Sequence, residues 1–471
     1  MKGDGSVSTK ELTKTAAAYR KPENKDSLLY ALKKGGALVW LSCLIMGFGN
    51  FAVGQVIKGL IWLAIEAIFI GYMVLPEVGG FHWLGMMPSL GDRETQEIWN
   101  DELMIYEYIQ GDNSQQILLY ATATLVAIVL FVVIWRASVR SGFKALSIKK
   151  SGKKVPTFID DVKALFDENI HKLLMFVPFA ALLIFTIVPL VYMMLMAFTN
   201  YSKVGNHLTL FDWVGLDNFV SLFDDTSALG RQFFPVLKWT VIWAFFATFL
   251  NFFMGTILAM IINRPSTRLK GMWRTILSLT IAVPQFVSLL IIRTMFKDEG
   301  AINNLLMDLG WITAPLPFFT NATWAKVTII VINCWVGIPY TVMSVTGILQ
   351  NIPAEQYEAA RIDGANAFQQ FVNVTLPYMI FVMTPTLIGS FTGNINNFNI
   401  IYLLSGGGPT YVGDSAGQTD LLVTWLYKLT MDNQEYNLAA VIGIMTFFVL
   451  ATVALLTYRN SGSYKDEEGF K

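Results

Sequence analysis

Charged residues and cysteine are scarce in this sequence. Of the 471 residues, 14% are charged and 54% are hydrophobic, whereas soluble domains average about 25% charged residues. This composition excludes an ordinary soluble domain. The 34 basic and 34 acidic residues give a net charge of zero, so bulk charge supports neither a nucleic-acid partner nor an acidic substrate.

Several kinds of functional site are also missing. Cys43 and Cys334 lie far apart in apolar runs, which excludes a disulfide framework and a thiolate metal site, and the three histidines are too scattered for a metal site. No G-x-x-x-x-G-K-[ST] phosphate loop is present, so no nucleotide site is expected in this chain. The N-terminal stretch lacks the apolar core and cleavage site of a signal peptide, and we expect a retained cytosolic tail. We therefore predict no catalytic residues and no metal ligands.

The sequence does contain long apolar runs. A membrane-spanning helix needs about 20 apolar residues. The runs that meet this length are 57–76, 117–136, 173–198, 236–262, 273–296, 325–349, 378–404 and 437–458. They predict an all-α, polytopic transmembrane bundle of eight spans. A shorter run at 38–54, interrupted by glycines, is interpreted as an interfacial or re-entrant helix.

The charges of the connecting loops predict their orientation. Residues 137–172 carry eight basic side chains, and residues 77–116 carry eight acidic ones against the single Arg93. Because basic loops stay in the cytosol, residues 137–172 are predicted to lie inside and residues 77–116 outside, with both termini cytosolic. Glu66 lies midway along the first span, and two interpretations stay open for it: a proton relay, or a hydrogen-bonded carboxyl that faces other helices, which we favour.

One predicted cytosolic loop, residues 350–377, is not basic. Pro353 can open a helix there, Gly364 would break it, and a second short helix at 365–372 would end before Pro377. An ordinary amphipathic interfacial helix is one interpretation. The loop also resembles the signature loop of the permeases of ATP-binding-cassette (ABC) importers, at the positions Glu358, Ala359, Ala360, Gly364, Val374, Leu376 and Pro377.

This resemblance implies a type I ABC importer permease, with a six-span translocation core at 173–458 that follows two N-terminal spans. It implies that the loop seats in a cleft of a separate ATPase, through Glu358, Ala359, Ala360, Asp363 and Gly364. The implied partners are a second permease subunit, two ATPase subunits that bind ATP and magnesium, and an extracellular or periplasmic solute-binding protein. The expected location is the bacterial cytoplasmic membrane. The predicted organisation is 1–56 (tail and short helix), 57–172 (two spans and loops), 173–458 (core) and 459–471 (tail).

Two polar stripes are predicted at one depth of the membrane. Asn333, Gly337 and Tyr340 follow i, i+4, i+7 spacing in one span, and Ser390, Asn394 and Asn397 repeat that spacing in the next. Amides with one aromatic ring suit a sugar. They suit interhelical contacts equally well, and chemistry alone leaves both open.

The runs 333–340 and 390–398 resemble the segments that line the sugar site in the larger permease subunit of maltose/maltodextrin importers, which implies that these six residues contact sugar. Gly393 departs from that pattern, because the maltose branch can have an aromatic residue there. We therefore expect a permease that passes maltodextrin-type oligosaccharides by alternating access. The alternatives are an ion-coupled secondary carrier and a non-transporting scaffold.

Overall fold

The computed structural model describes residues 27–101, 104–264 and 266–459. The chain divides into two compact units, Met1–Met193 and Met194–Lys471. Residues 1–26 and 460–471, which include most of the predicted N-terminal tail and nearly all of the C-terminal one, lie outside the described residues. The predicted all-helical fold is confirmed, with one small hairpin added.

The first unit contains two long helices, most of a third, several short ones and an antiparallel hairpin. Its elements are α1 (Leu28–Lys34), α2 (Ala37–Leu44), α3 (Phe48–Phe51), α4 (Val56–Val74), α5 (Gly80–Met86), β1 (Gln96–Asn100), β2 (Ile105–Ile109), α6 (Ser114–Lys150), α7 (Phe158–Phe166), and α8 (Ile170–Leu182), which continues through a π-helical turn (Leu183–Ile187) into α9 (Val188–Met196). Asn113 begins α6 by accepting a hydrogen bond from the Gln116 backbone N–H at 3.1 Å, as an N-cap residue does.

The run at 38–54 folds into the short helices α2 and α3. At about 1.5 Å per residue, the 8-residue α2 reaches about 12 Å, too short to cross a bilayer. Side chains satisfy the backbone N–H groups at the turn between the two helices: Glu66 accepts from Met46 at 2.8 Å, and Ser138 accepts from Gly47 at 3.1 Å. The carboxyl of Glu66 thus ties α4 to this turn. This contact agrees with the hydrogen-bonded interpretation of that residue.

The second unit contains the remaining spans and the segments that connect them. Its helices are α10 (Asp217–Phe223), α11 (Ala228–Asn263), α12 (Lys270–Ala282), α13 (Gln285–Met295), α14 (Ala301–Asp308), α15 (Ala322–Asn351), α16 (Ala354–Ile362), α17 (Ala367–Gln370), a π-helical turn (Phe371–Thr375), α18 (Leu376–Ile395), α19 (Phe398–Ser405), α20 (Leu422–Met431) and α21 (Tyr436–Arg459).

Among the described residues, 7 helices are long and apolar enough to cross a membrane. The number rises to 8 if one bent pair of helices is counted as a single span. The straight candidates are Val56–Val74, Ser114–Lys150, Ile170–Met196, Ala228–Asn263, Ala322–Asn351, Ala367–Ile395 and Tyr436–Thr457. The bent pair is α12 and α13, whose axes meet at 89°. It occupies the fifth predicted run, 273–296, which is therefore not one straight span.

Prolines stand at three irregular points of these helices. Pro284, which has no backbone N–H to continue a helix, stands at the corner between α12 and α13. Two other prolines, Pro189 and Pro377, each follow a π-helical turn, whose wider spacing suits a proline within a continuous helix. The prediction of a separate short helix at 365–372 that ends before Pro377 is therefore wrong. The helix α17 continues through the π turn directly into α18.

The two longest helices of the second unit, α11 and α15, pack along each other. Small residues allow this close approach: a Cβ atom added to Gly255 would lie 2.6 Å from Cβ of Thr341. Apolar clusters lie above and below the middle of the pair, one around Trp243 and Ile329 and the other around Phe252 and Val342. The polar residues between these clusters form the candidate site.

Candidate functional site

The first wall of the site is the α15 stripe. Asn333, Gly337 and Tyr340 face one cavity, as their spacing predicts. Asn333 is 3% exposed and Tyr340 is 55% exposed, so the amide lies deep in the wall and the ring lies at an open position. A Cβ atom on Gly337 would overlap the amide of Asn251 on α11, and only glycine allows that side chain to fit there.

The second wall comes from α18 and the start of α19. Ser390 and Asn394 lie on α18, which ends at Ile395. The spacing predicted Asn397 on the same helix as Ser390 and Asn394, and this is wrong. Asn397 instead caps α19, where it accepts a hydrogen bond from the Ile400 backbone N–H at 3.4 Å. The seventh predicted run, 378–404, is thus two helices. Even so, all six predicted sugar contacts line the same cavity.

The third wall is α11, which the sequence analysis did not identify. Thr248 and Asn251 line the cavity one turn apart. The Asn394 amide donates to Thr248 Oγ1 at 3.1 Å, and the Asn397 amide donates to Asn394 Oδ1 at 3.1 Å. A chain of hydrogen bonds therefore joins two walls. Asn251 is the only amide residue in the apolar run 236–262, and that isolation was the available signal.

The cavity has a volume of 380 Å³, within the usual range for small-molecule sites. Its described lining includes no Asp, Glu, Lys, Arg or His. Two buried amide atoms, Asn333 Nδ2 and Asn251 Oδ1, have no hydrogen-bond partner among the described residues. A buried amide group without a partner costs free energy. Both atoms lie beneath the surface of the cavity, so a hydroxyl group of a ligand would reach them only if the wall moved.

Two further lining residues shape the cavity. Gln285 lines it from the first turn of α13, directly after the bend at Pro284. Gly393 lines it from α18, and a Cβ atom added there would meet no atom within 4 Å. The wall is therefore open where the maltose-type pattern can have an aromatic ring.

The predicted ATPase-coupling residues lie on and just after α16. Glu358, Ala359, Asp363 and Gly364 are exposed, and Ala360 is half-buried. Gly364 has a φ of 77°. Its N–H donates to Arg361 O at 3.0 Å, while the next N–H donates to Ala360 O at 2.9 Å, which is the Schellman ending of a helix.

Two large apolar side chains are exposed beside this turn, among polar residues, and the turn is held in place. Ile362 is 87% exposed and Phe368 is 73% exposed. The hydroxyl groups of Tyr357 and Thr375 lie 2.9 Å apart and tie α16 to the π turn before α18. Exposed apolar side chains on a fixed turn are typical of a surface that a partner covers.

A glycine-rich loop at 406–421 follows α19 and is fixed by a buried ion pair. Asp420 is fully buried, its Oδ2 lies 2.6 Å from Lys428 Nζ, and the same oxygen accepts from the Gly417 N–H at 2.6 Å. Gly407 makes room for this carboxylate, since a Cβ atom there would overlap it. Burial raises the pKa of Asp420 above its ordinary value, and the ammonium of Lys428 opposes that rise.

Comparison with known proteins agrees with this architecture. Residues 251–462 match the family described as "Binding-protein-dependent transport system inner membrane component". The galactooligosaccharides transport system permease protein GanP of Bacillus subtilis is 35% identical over 431 residues, which cover 91% of this chain and 98% of that protein. The maltodextrin transport system permease protein MalC of Streptococcus pneumoniae is 32% identical over 443 residues, covering 91% and 96%.

A solved structure shares the fold. It is a bacterial ABC transporter involved in the import of the acidic polysaccharide alginate, with a TM-score of 0.52 at 23% identity over 63% of this chain and 96% of that chain. The alignments with GanP and MalC each extend over 91% of this chain and include both of its units. The chain therefore belongs to the family of binding-protein-dependent inner-membrane permeases of ABC importers, and it resembles the permeases of maltodextrin and other oligosaccharide systems.

Proposed function

We propose that this chain is the membrane permease subunit of an ATP-driven importer and passes maltodextrin-type oligosaccharides through the cavity between α11, α15 and α18. The observation that carries the proposal is the convergence of five polar residues and one glycine, predicted separately on two spans, around one uncharged cavity. The names of the relatives at 32–35% identity support an oligosaccharide as cargo.

The chemistry of the lining favours a neutral sugar. Amides donate and accept at once, as vicinal hydroxyl groups do, and the exposed ring of Tyr340 offers an apolar face to a pyranose. An acidic sugar would bring carboxylates into a cavity whose described lining holds no cation, and burying an unpaired charge is strongly unfavourable. The cavity thus favours neutral cargo over a uronate, although the solved relative imports an acidic polysaccharide.

Transport requires an energy source outside this chain. The exposed turn around Gly364 would seat in a partner ATPase, and two such subunits would supply the ATP and magnesium sites. A second permease subunit and a solute-binding protein would complete an importer in the bacterial cytoplasmic membrane, with both termini of this chain in the cytosol. Alternating access would then present the cavity to each side of the membrane in turn.

The test is transport by the complete importer rebuilt in liposomes with ATP enclosed. We expect maltodextrins to stimulate ATP hydrolysis and to be taken up, while oligo-uronates do neither. β-Linked galactooligosaccharides belong in the same panel because of the 35% identical relative, and preference for them would replace maltodextrin as the cargo. Uptake without ATP, driven by an ion gradient, would identify the secondary carrier. Assembly without uptake of any sugar would identify the scaffold.

A further inference from the structure

A second cavity lies in the first unit, between α1 and α6, and has a volume of 570 Å³. From α6 it is lined by Ala137, Arg140, Lys144 and Ser147, whose spacing of 3, 4 and 3 residues places them on one helical face. On the other side, α1 contributes Tyr30 and Ala31. This groove shares no residue with the cavity of the second unit.

The groove is electropositive. Arg140 and Lys144 are the charged residues of its described lining. Residues 27–65 and 114–159 contain no Asp or Glu, although Asp26 directly precedes the lining residue Ser27 in the sequence. Arg140 already interacts within the protein. A guanidinium has five N–H donors, however, so it can bind an oxyanion as well.

The groove also lies at a defined depth along α6. The apolar run of that helix ends at Arg136, and at about 1.5 Å per residue Arg140 and Lys144 follow about 6 and 12 Å further on. The polar headgroup layer on each side of a bilayer is about 5–8 Å thick, so Arg140 reaches the level of the phosphates and the long stem of Lys144 can reach back to it. Trp135, one residue before Arg136, suits the adjacent membrane interface.

The walls combine apolar and hydroxyl surfaces. The rings of Tyr30 and Phe143 meet edge to face, with centroids 6.0 Å apart, and Ala31 is buried between the helices. Ser141 accepts a hydrogen bond from the Asn50 amide at 3.2 Å, which leaves its own hydroxyl hydrogen to donate. Phe143 lies about 10 Å beyond Arg136, on the water side of Arg140, so these rings close the outer wall of the groove. The hydrocarbon lies on the other side of Arg140, along the apolar run of α6 that ends at Arg136.

We propose that this groove binds the phosphate headgroup of an anionic phospholipid in the leaflet at the Lys150 end of α6. A basic pocket between helices at headgroup depth is the expected form of such a site. Free phosphate shares the headgroup's charge but lacks its acyl chains, and the apolar run of α6 that adjoins the groove at Arg136 favours the lipid. The proposal is independent of which sugar the second unit passes.

The test measures lipid binding to the full chain in an uncharged, non-glycosidic detergent. Phosphatidylglycerol, phosphatidylcholine with the same acyl chains, and glycerol phosphate without chains are titrated separately, and bound lipid is counted by native mass spectrometry. We expect phosphatidylglycerol to bind at least about fivefold tighter than phosphatidylcholine, and Arg140→Gln or Lys144→Gln to remove about fivefold each. Lys150→Gln, on the same helix but outside the groove, is the matched control and should change the affinity less than twofold.

Other results would overturn the proposal. Equal affinity for the two phospholipids would show that the groove does not select charge, and equal losses in the Lys150→Gln control would show only a diffuse surface attraction. Saturable glycerol phosphate binding at the affinity of phosphatidylglycerol would assign the site to free phosphate. Because Lys144 is exposed, Lys144→Glu should fold with unchanged helicity and still lose the preference for phosphatidylglycerol. Retained preference in that variant would also count against the site.

Discussion

Asn397 combines two tasks that a substitution must separate. Its side chain caps α19 and also continues the hydrogen-bonded chain to Asn394. Asn397→Ala would remove both contacts, and loss of the cap alone costs about 0.5–2 kcal/mol. Asn397→Ser keeps an oxygen that can cap the helix but removes the amide, together with its hydrogen bond to Asn394, so it separates the cap from the other contacts of this side chain.

For Asn394→Ala and Asn397→Ser we expect sugar affinity per assembled complex to fall about 2- to 12-fold, the equivalent of one net hydrogen bond each. The yield of complex should stay near that of the unmodified protein. The measurement is uptake against sugar concentration, normalised to intact complex. If affinity is unchanged while the yield drops, these amides hold helices together and do not bind sugar.

Gly393 should set how bulky a sugar the cavity admits. No atom lies within 4 Å of a Cβ atom at this position, so a side chain can start there without displacing backbone, and the ring of Gly393→Phe would occupy part of the open wall. We expect the apparent affinity for the longest accepted sugar to fall by tenfold or more, with little change for the shortest. Gly393→Ala is the control and should alter neither, since it adds one methyl group to an open wall. If Gly393→Phe changed the apparent affinity for short and long sugars equally, Gly393 would not select sugar length.

The residues of the two predicted stripes were accessible to sequence reasoning because they recur at helical spacing. Asn251 and Thr248 have no such spacing, and the only signal for Asn251 is its isolation as the single amide of a long apolar run. Their position follows from the close approach of α11 to α15 at Gly337, and a contact between distant helices is absent from local sequence.

Among the elements, the turn after α16 allows a test of coupling. Gly364 has a φ of 77° and donates its N–H to Arg361 O. Asn tolerates this left-handed conformation, whereas proline forbids it and lacks the N–H. We expect Gly364→Pro to abolish sugar-stimulated ATP hydrolysis, while Gly364→Asn keeps most of it and both proteins insert normally. Unimpaired stimulation in Gly364→Pro would exclude this turn as the contact with the ATPase.

The loop at 406–421 should depend on its buried ion pair. Lys428→Met leaves the Asp420 carboxylate buried without a cation, which costs about 3–5 kcal/mol. Burial already raises the pKa of Asp420, and removing the cation raises it further. A carboxyl whose pKa is raised on folding favours the folded state below its unfolded pKa and loses that contribution as pH rises through the folded pKa.

Lys428→Met should therefore have a higher melting temperature at pH 5 than at pH 8. Adding Asp420→Asn should remove most of this pH dependence, since no ionisable group then remains at the pair. A Lys428→Met protein that is equally stable at both pH values would show that the carboxyl reaches solvent.

Element ends were harder to predict than element existence. Hydropathy predicted a span at 117–136, and α6 contains it but continues to Lys150. The extension is amphipathic, with Val139 and Leu146 buried, and packing against α1, α2 and α3 supports it. Likewise, the run 273–296 predicted a straight helix, because apolar content carries no information on the 89° bend that follows from Pro284.

For the whole molecule, the apolar runs were sufficient to predict the class of fold, and the short signature in 350–377 was sufficient for the family. What they could not supply was the arrangement of the N-terminal unit. There, α2 and α3 are held by contacts such as Glu66 to Met46 and Trp135 Nε1 to Cys43 O, at 2.8 and 2.9 Å. These contacts join residues 20 and 92 positions apart, and such pairings leave no periodic pattern.

The uncharged lining of the main cavity has an electrical consequence. Moving one elementary charge across a membrane at 100 mV involves about 2.3 kcal/mol of work, but the described lining holds no ionisable side chain other than Tyr340 and a neutral sugar adds none. When the loaded cavity opens first to one side of the membrane and then to the other, neither its lining nor the sugar should carry a charge across the transmembrane potential. At fixed ATP, initial uptake in liposomes should be the same with the potential clamped at zero or at 100 mV of either sign. A voltage-dependent rate would mean that a charge outside this cavity moves with the cargo.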